Sequence, residues 1–233
     1  MDIEENVARI KGELAEAALA AGRRPEDVLL VAASKMNDAD RVRRAIAAGV
    51  DACGENRVQE MLEKQAQGAY AGAPLHFIGH LQRNKVRQVV GLAALIHGVD
   101  SVELLREIDR CAEKKGLLQD VLLEINIASE ASKSGFAAEE LPAALEAAAR
   151  LSSVRVRGLM AIPPVCVSGD ENRPYFTKMK QLFIDNGGKK YDNVSMDFLS
   201  MGMSGDYRAA VACGANMVRI GSAIFGQRVY PTR

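Results

Sequence analysis

The chain has 233 residues, and its 30 Lys and Arg balance 30 Asp and Glu, giving a formal net charge of zero. Without a basic excess there is no global field for phosphate backbones, which argues against nucleic acid as a partner. Apolar residues make up 48% and aromatics 5%, with no Trp, which excludes a disordered chain and predicts an aliphatic, Ala-rich core.

The opening segment, MDIEENVARIKGELAEAALAAG, is acidic at its start and has no basic region followed by an apolar one. It reads as an amphipathic helix over 1–22, not as a signal peptide. No apolar run approaches the roughly 18 residues of a membrane helix, so no membrane role is expected. Cys53, Cys111, Cys166 and Cys213 form no CxxC pair and read as buried or incidental thiols in a reducing cytoplasm. The irregular stretches GAYAGAP (68–74), SEASKSG (129–135) and PPVCVSGDENRP (163–174) are short enough to be loops inside one domain spanning 1–233.

After the first helix, apolar β-rich runs recur in order: VLLVAAS (28–34), VDACG (50–54), LHFIG (75–79), LIHGV (95–99), VLLEINI (121–127), VRVRGLM (154–160), DFLSM (197–201) and MVRIG (217–221). Helical stretches of period 3.6 separate them, among them NRVQEMLEKQA, QRNKVRQVVG and SVELLREIDRCAEKKG. Strand alternating with helix implies a parallel sheet covered by helices. One unit per about 29 residues suits a strand plus its crossover helix. An open doubly wound sheet expects glycines after its first strand, whereas this one ends Ala33-Ser34-Lys35-Met36. The α/β fold expected is therefore a closed (β/α)8 TIM barrel, with the first helix packed outside it or across its bottom.

Reactive residues of such a barrel lie at the C-terminal ends of its strands. Lys35 ends the first strand after an apolar run. Partial desolvation there favours the neutral amine, the form that attacks an aldehyde to make a Schiff base. A lysine snorkelling to solvent is the alternative. After strands seven and eight, SMGMSGD and RIGSAIFG place Ser204, Gly205, Gly221 and Ser222 just before helix starts, where exposed amides form phosphate sites. A rim lysine facing a phosphate cradle suits pyridoxal 5′-phosphate, which carries both an aldehyde and a phosphate. Arg219, on the Gly221 side of strand eight, is the candidate partner of the ring nitrogen, an ion pair on the barrel rim being its alternative.

These residues carry a resemblance. VAASK (31–35), CGENRVQE (53–60), HFIGHLQRNKV (76–86), INIASEASKSGF (125–136), GLMAIPP (158–164), PYF (174–176), LSMGMSGD (199–206) and MVRIGSAIFG (217–226) resemble, in order and spacing, the pyridoxal phosphate homeostasis protein family. That family's barrel is similar to the N-terminal domain of alanine racemase, a fold-type III pyridoxal phosphate fold. The resemblance implies that Lys35 carries the cofactor as an aldimine and that Ser204, Gly205, Gly221 and Ser222 hold its phosphate. It implies Arg219 near the ring nitrogen, with Asn56, His80 and Met203 on the pocket rim. Cys53 stands where the family often has an aromatic, and Ser222 where a threonine is common. The implied role is intracellular cofactor homeostasis and supply to apo-enzymes, without robust catalysis. Racemisation needs a base on each cofactor face, and the chain ends seven residues after Gly226. The rival readings are a racemase or lyase using the same lysine, and a barrel enzyme on a phosphorylated sugar.

Other features read as background. His76 and His80 straddle a strand end and share no helical face, so no metal site is expected. QRNKVRQ (82–88) reads as a solvated helix face, with an apo-enzyme docking site as the minority reading. Lys133 divides between a solvent-facing turn and transient cofactor capture. The racemase dimer is built partly from a domain not seen here, so a monomer is expected.

Overall fold

A computed structural model of the chain describes residues 2–130, 133–166, 168–188 and 191–227. Its elements run α1 (Ile3–Ala20), β1 (Leu29–Ala33), α2 (Ala39–Ala47), β2 (Ala52–Glu55), α3 (Val58–Ala66), β3 (Leu75–Phe77), α4 (Val86–Val89), β4 (Leu95–Val99), α5 (Val102–Lys114), β5 (Gln119–Glu124), α6 (Leu141–Ala149), β6 (Val154–Met160), α7 (Arg173–Gly187), β7 (Val194–Ser200), α8 (Tyr207–Ala212), β8 (Met217–Ile220) and α9 (Ser222–Phe225). The strands close into a parallel barrel in sequence order, β8 pairing back onto β1. The eight apolar runs read from the sequence are these eight strands.

Two departures have local causes. β7 begins at Val194, three residues before the apolar run: its first residues, Val194, Ser195 and Met196, are only half-buried, and exposed Asp197 breaks the apolar pattern between them and Phe198. The stretch QRNKVRQVVG forms a three-residue 3-10 turn and the four-residue α4, not a full helix. Gly91, at φ +79°, ends it in a backbone conformation that side chains rarely adopt.

Alternation along each strand sorts side chains into two layers. Val31, Ala52, Leu95, Leu122, Met160 and Met217 pack together inside the barrel. Leu30, Ala32, Cys53, Phe77, Ile96, Leu123, Leu159 and Val218 face outward and pack against the helices. The inward set continues toward the C-terminal mouth as Lys35, Asn56, His97, Ser200, Arg219 and Gly221, so one parity delivers the polar residues to the barrel axis. Glycine fits where the walls are closest. A Cβ on Gly158, at φ +140°, would lie 2.0 Å from the Phe198 carbonyl oxygen.

α1 lies outside the barrel against α2, α8 and α9, not across the bottom. Its Ile3, Val7, Ile10, Leu14 and Ala18 form one buried stripe at helical spacing. Asp2 and Glu5 cap its start reciprocally. The Asn6 side chain donates to the Ile224 carbonyl at 2.9 Å, tying α1 to the last short helix. Glu13 adds a second tie, accepting from the Tyr207 hydroxyl and pairing with Arg208 at 3.0 Å. Among the described residues no helix is long and apolar enough to cross a membrane.

Replacing Ile10, which is fully buried in this stripe, by Ala should cost about 2–5 kcal/mol, read as a lower denaturation midpoint at unchanged slope.

Candidate functional site at the barrel mouth

The turn after β1 presents Lys35. It is tight: the Asn37 N–H donates to the Ser34 carbonyl at 3.1 Å, and Met36 sits at φ +62°. Lys35 is half-buried, and it shares a cleft of about 330 Å³ with Met36, Asn37, Arg41, Gly221, Ser222 and Phe225. Arg41 spans the cleft, donating to the Asn37 side chain at 2.9 Å and to the Phe225 carbonyl. β1 and β8 are adjacent, and Gly221 follows β8, so barrel closure itself brings residue 35 to residues 221 and 222. A Cβ on Gly221 would press the Ala33 carbonyl oxygen at 3.2 Å, so a side chain there would push these two loops slightly apart.

Ser204 does not line this cleft but a neighbouring one, from which it bonds to the backbone of the turn after β8. Its Oγ accepts from the Gly221 N–H and from the Ala223 N–H, each at 3.3 Å. Two backbone donors thus converge on one oxygen, the arrangement that also receives an oxygen of a bound anion. The loop that carries Ser204 is fixed by Asp206. That carboxylate accepts the Met203 N–H at 2.7 Å and the Asn172 side-chain amide at 2.8 Å.

Behind the Lys35 turn, in the layer between the barrel and α3, lies a buried polar cluster. Glu55 Oε1 accepts from Ser34 Oγ at 2.6 Å, Lys64 Nζ at 2.7 Å and the Tyr70 hydroxyl at 3.1 Å. Lys64 also donates to the Ser34 carbonyl at 2.8 Å and to Glu60 at 2.8 Å, while Glu60 accepts the Met36 N–H. Both residues flanking Lys35 are therefore held from behind. Burial raises the Glu55 carboxyl above its usual range, against the bonds from Lys64 and Ser34 that lower it. Burial likewise pushes the neighbouring Cys53 thiol up to about 12, which makes it inert.

Inside the barrel, Arg219 is buried. Its Nη1 donates to Ser200 Oγ at 2.6 Å and its Nη2 to the Ala161 carbonyl at 3.0 Å. No carboxylate lies within ion-pair distance of it among the described residues, so it is not a rim ion pair; Glu124 and Asp206 act on it from farther away. Burial lowers its guanidinium to about 10, and it stays charged at neutral pH. Ser200 also meets His97 Nδ1 at 3.0 Å, and His97 Nε2 meets His76 Nδ1 at 3.1 Å. Burial pushes His76 down to about 4 and His97 well below its ordinary value.

The structure thus brings Lys35, Gly221 and Ser222 into one cleft, with Ser204 bonded to its backbone. Arg219 lies on the inward face of β8, two residues before Gly221. His80 is elsewhere on the mouth: it pairs with Asp100 at 2.9 Å and lines a second cleft with Glu124, Asn126, Lys133 and Ser134. Lys133 pairs there with Glu130 at 2.8 Å. Gly205 borders a third cleft, outside the barrel, with Arg9 and Arg208. Met203 contributes a backbone N–H to Asp206, and Asn56 follows β2 beneath Gly79, without joining the Lys35 cleft. Ser132 in the SEASKSG loop, Val167 in the PPVCVSGDENRP loop and the tail from 228 lie outside the described residues. The Glu55–Lys64 pair and the His76–His97–Ser200 chain were not singled out from the sequence. Their signal is a polar residue inside an apolar strand run, as in LIHGV.

Comparison with known proteins agrees with this fold. The alanine racemase N-terminal domain family model matches residues 4–229. The pyridoxal phosphate homeostasis protein of Pseudomonas aeruginosa is 42% identical over 228 residues, 98% of this chain and 96% of that protein. The protein of that name from Aquifex aeolicus is 39% identical over 230 residues, 99% of this chain and all of the other. Among solved structures, PipY of Synechococcus elongatus PCC7942 with PLP bound is 34% identical, with a TM-score of 0.79 over 91% of this chain and all of that one. An alanine racemase of Clostridium difficile shares the fold at 16% identity, with a TM-score of 0.70 over 98% of this chain and 58% of that one.

Two outcomes follow from the buried groups. Lys64→Met removes one partner of a buried pair and should cost about 3–5 kcal/mol in guanidinium unfolding. His76 and His97 are neutral when folded but take up protons near 6.5 when unfolded, so the unfolded state binds more protons as pH falls. Their contribution is complete above about 6.5 and is lost progressively toward 4. The denaturation midpoint should therefore drop between pH 7 and 5, and His76→Gln should flatten that slope.

Proposed function

The chain belongs to the pyridoxal phosphate homeostasis protein family, and from that premise we propose that it binds pyridoxal 5′-phosphate at the mouth of its barrel. The observation that carries this reading is the single cleft shared by Lys35 and the Gly221–Ser222 turn, with Ser204 bonded to two converging amides. The residues fit the cofactor. An amine stands beside a two-amide anion seat, and a guanidinium with no carboxylate in ion-pair distance among the described residues lies one inward position below Gly221 on the same face. The cofactor would supply an aldehyde, and Lys35 is the residue that would hold it covalently through its amine. The Gly221 and Ala223 N–H groups and the Ser204 and Ser222 hydroxyls hold the phosphate, with Gly205 shaping the Ser204 turn. Arg219 donates to the ring nitrogen. Asn56, His80 and Met203 form the wider rim.

The role that suits this site is storage and supply of the cofactor to apo-enzymes, without robust turnover. The same arginine argues for it. A permanently protonated donor leaves the ring nitrogen unprotonated, which weakens the ring as an electron sink. Close relatives named for cofactor homeostasis, not for a reaction, support the same role.

Purified protein mixed with pyridoxal phosphate should absorb in the visible range, and borohydride should fix a pyridoxyl group on the peptide containing Lys35. Lys35→Ala should lose both signals while keeping its fold. A colourless wild type would overturn the reading. Ser204→Ala should retain the cofactor less well, up to the about 1.5–3 kcal/mol of a charge-assisted bond, measured by equilibrium dialysis. Dilution of loaded protein into a pyridoxal-phosphate-dependent apo-enzyme should restore that enzyme's activity. Sustained turnover of an amino acid, lost in Lys35→Ala, would replace supply with catalysis.

A further inference from the structure

The barrel axis holds a polar column that cofactor binding at Lys35 does not account for. Ser200 on β7, His97 on β4 and His76 on β3 are all buried, and they link end to end with Arg219 on β8. Four different strands contribute one residue each. Such a column inside an otherwise aliphatic barrel is costly unless every donor meets an acceptor.

The direction of the chain is set at one end. A guanidinium only donates, so the 2.6 Å contact makes Ser200 Oγ an acceptor. Among the described residues, the other group in hydrogen-bond contact with that oxygen is His97 Nδ1. The Ser200 proton must therefore go to Nδ1, which carries none. A neutral imidazole then has its proton on Nε2, and that N–H donates to His76 Nδ1. His76 must accept there, so its proton also sits on Nε2. The opposite direction would place two donors on Ser200 Oγ and leave the hydroxyl proton without an acceptor in a fully buried site. A positive charge on His97 would also lie beside the Arg219 guanidinium. The carboxylates that face this region, Glu124 from β5, Asp100 after β4 and Asp206 before α8, act on Arg219 or pair with His80 and do not bond to either histidine.

We propose that Ser200, His97 and His76 are positioning residues, a one-way chain of two neutral Nε2–H histidines that holds the Arg219 guanidinium in a single orientation for the pyridine nitrogen of the cofactor. The chain acts through Arg219 and does not touch the cofactor. Its functional half rests on the reading of the mouth as a pyridoxal phosphate site; its tautomers do not.

The experiment has two arms. In the first, protein labelled with 15N-histidine and carrying no cofactor is examined by long-range proton–nitrogen correlation at neutral pH, with His76→Gln and His97→Asn to assign the rings. Both rings should show a protonated Nε2 and a bare Nδ1. A protonated Nδ1 on either ring would overturn the chain. In the second, pyridoxal phosphate itself is titrated into wild type, Ser200→Ala, Ser200→Thr, His97→Phe and His97→Asn, reading affinity and the absorption maximum of the bound cofactor. Ser200→Ala and His97→Phe should bind about tenfold more weakly, the worth of one buried hydrogen bond, and shift the maximum. Ser200→Thr keeps the hydroxyl, and His97→Asn keeps an acceptor near the Nδ1 position, so both should recover most of the loss. Should His97→Phe fail to fold, the Ser200 pair decides alone. Wild-type affinity and absorbance in Ser200→Ala would overturn the positioning role. Failure of wild type to take up the cofactor would instead overturn the reading of the mouth, with the tautomer result still standing.

Discussion

Closure of the barrel is the constraint on which the rest depends. Once β8 pairs with β1, residues 217–220 are locked opposite residues 29–32, and the loops that follow both strands must meet. Parallel pairing sends all eight strand ends to one mouth, and the period of two decides which side chains point into it. Lys35, Arg219 and Gly221 are neighbours because of this geometry, although nearly the whole chain separates the first from the other two. The binding proposed for the mouth needs no basic surface. Charge is handled locally, by amides on the last turn and by one guanidinium on the axis.

The fold was legible in the sequence because the strands are nearly continuous apolar runs of the right length, spaced by amphipathic helices. β4 and β6 have the bounds their sequences suggest, LIHGV and VRVRGLM. Lys35 was legible for the same reason: an ionisable residue directly after such a run has few places to go but the rim. Less legible was anything that depends on two strands at once. His97 lies 21 residues from His76 and 103 from Ser200. No local pattern links them, and only the closed barrel shows that they share an axis. His80 was read onto the same rim as Lys35, and the structure gives it a separate cleft with Glu124 and Lys133. A rim is a circle, and the sequence does not say on which arc a residue sits.

The layer behind the mouth shows how a loop is made stiff without a disulfide or a metal. Glu55 and Lys64 are both buried, and the pair reaches the residues on either side of Lys35 through Ser34 and through Glu60. An ion pair of this kind contributes little net stability compared with a well-packed apolar pair. What it contributes is position. It fixes the turn in which the lysine sits, so the amine is presented at one place relative to the amides of the neighbouring loop after β8.

The Ser204 hydroxyl brings the exchange of ligand into view. It already accepts bonds from the two amides that would face an incoming anion, so those donors are satisfied by the protein itself. A phosphate that takes this seat does not create bonds from nothing. It takes over bonds from a competitor tethered through the fold, 17 and 19 residues away in sequence, at effectively high concentration. The free energy of capture is then a difference between two similar states, and departure of the phosphate leaves no orphaned backbone donor behind. Such a seat is built like a turnstile, in which entry and exit each complete a state that is already whole.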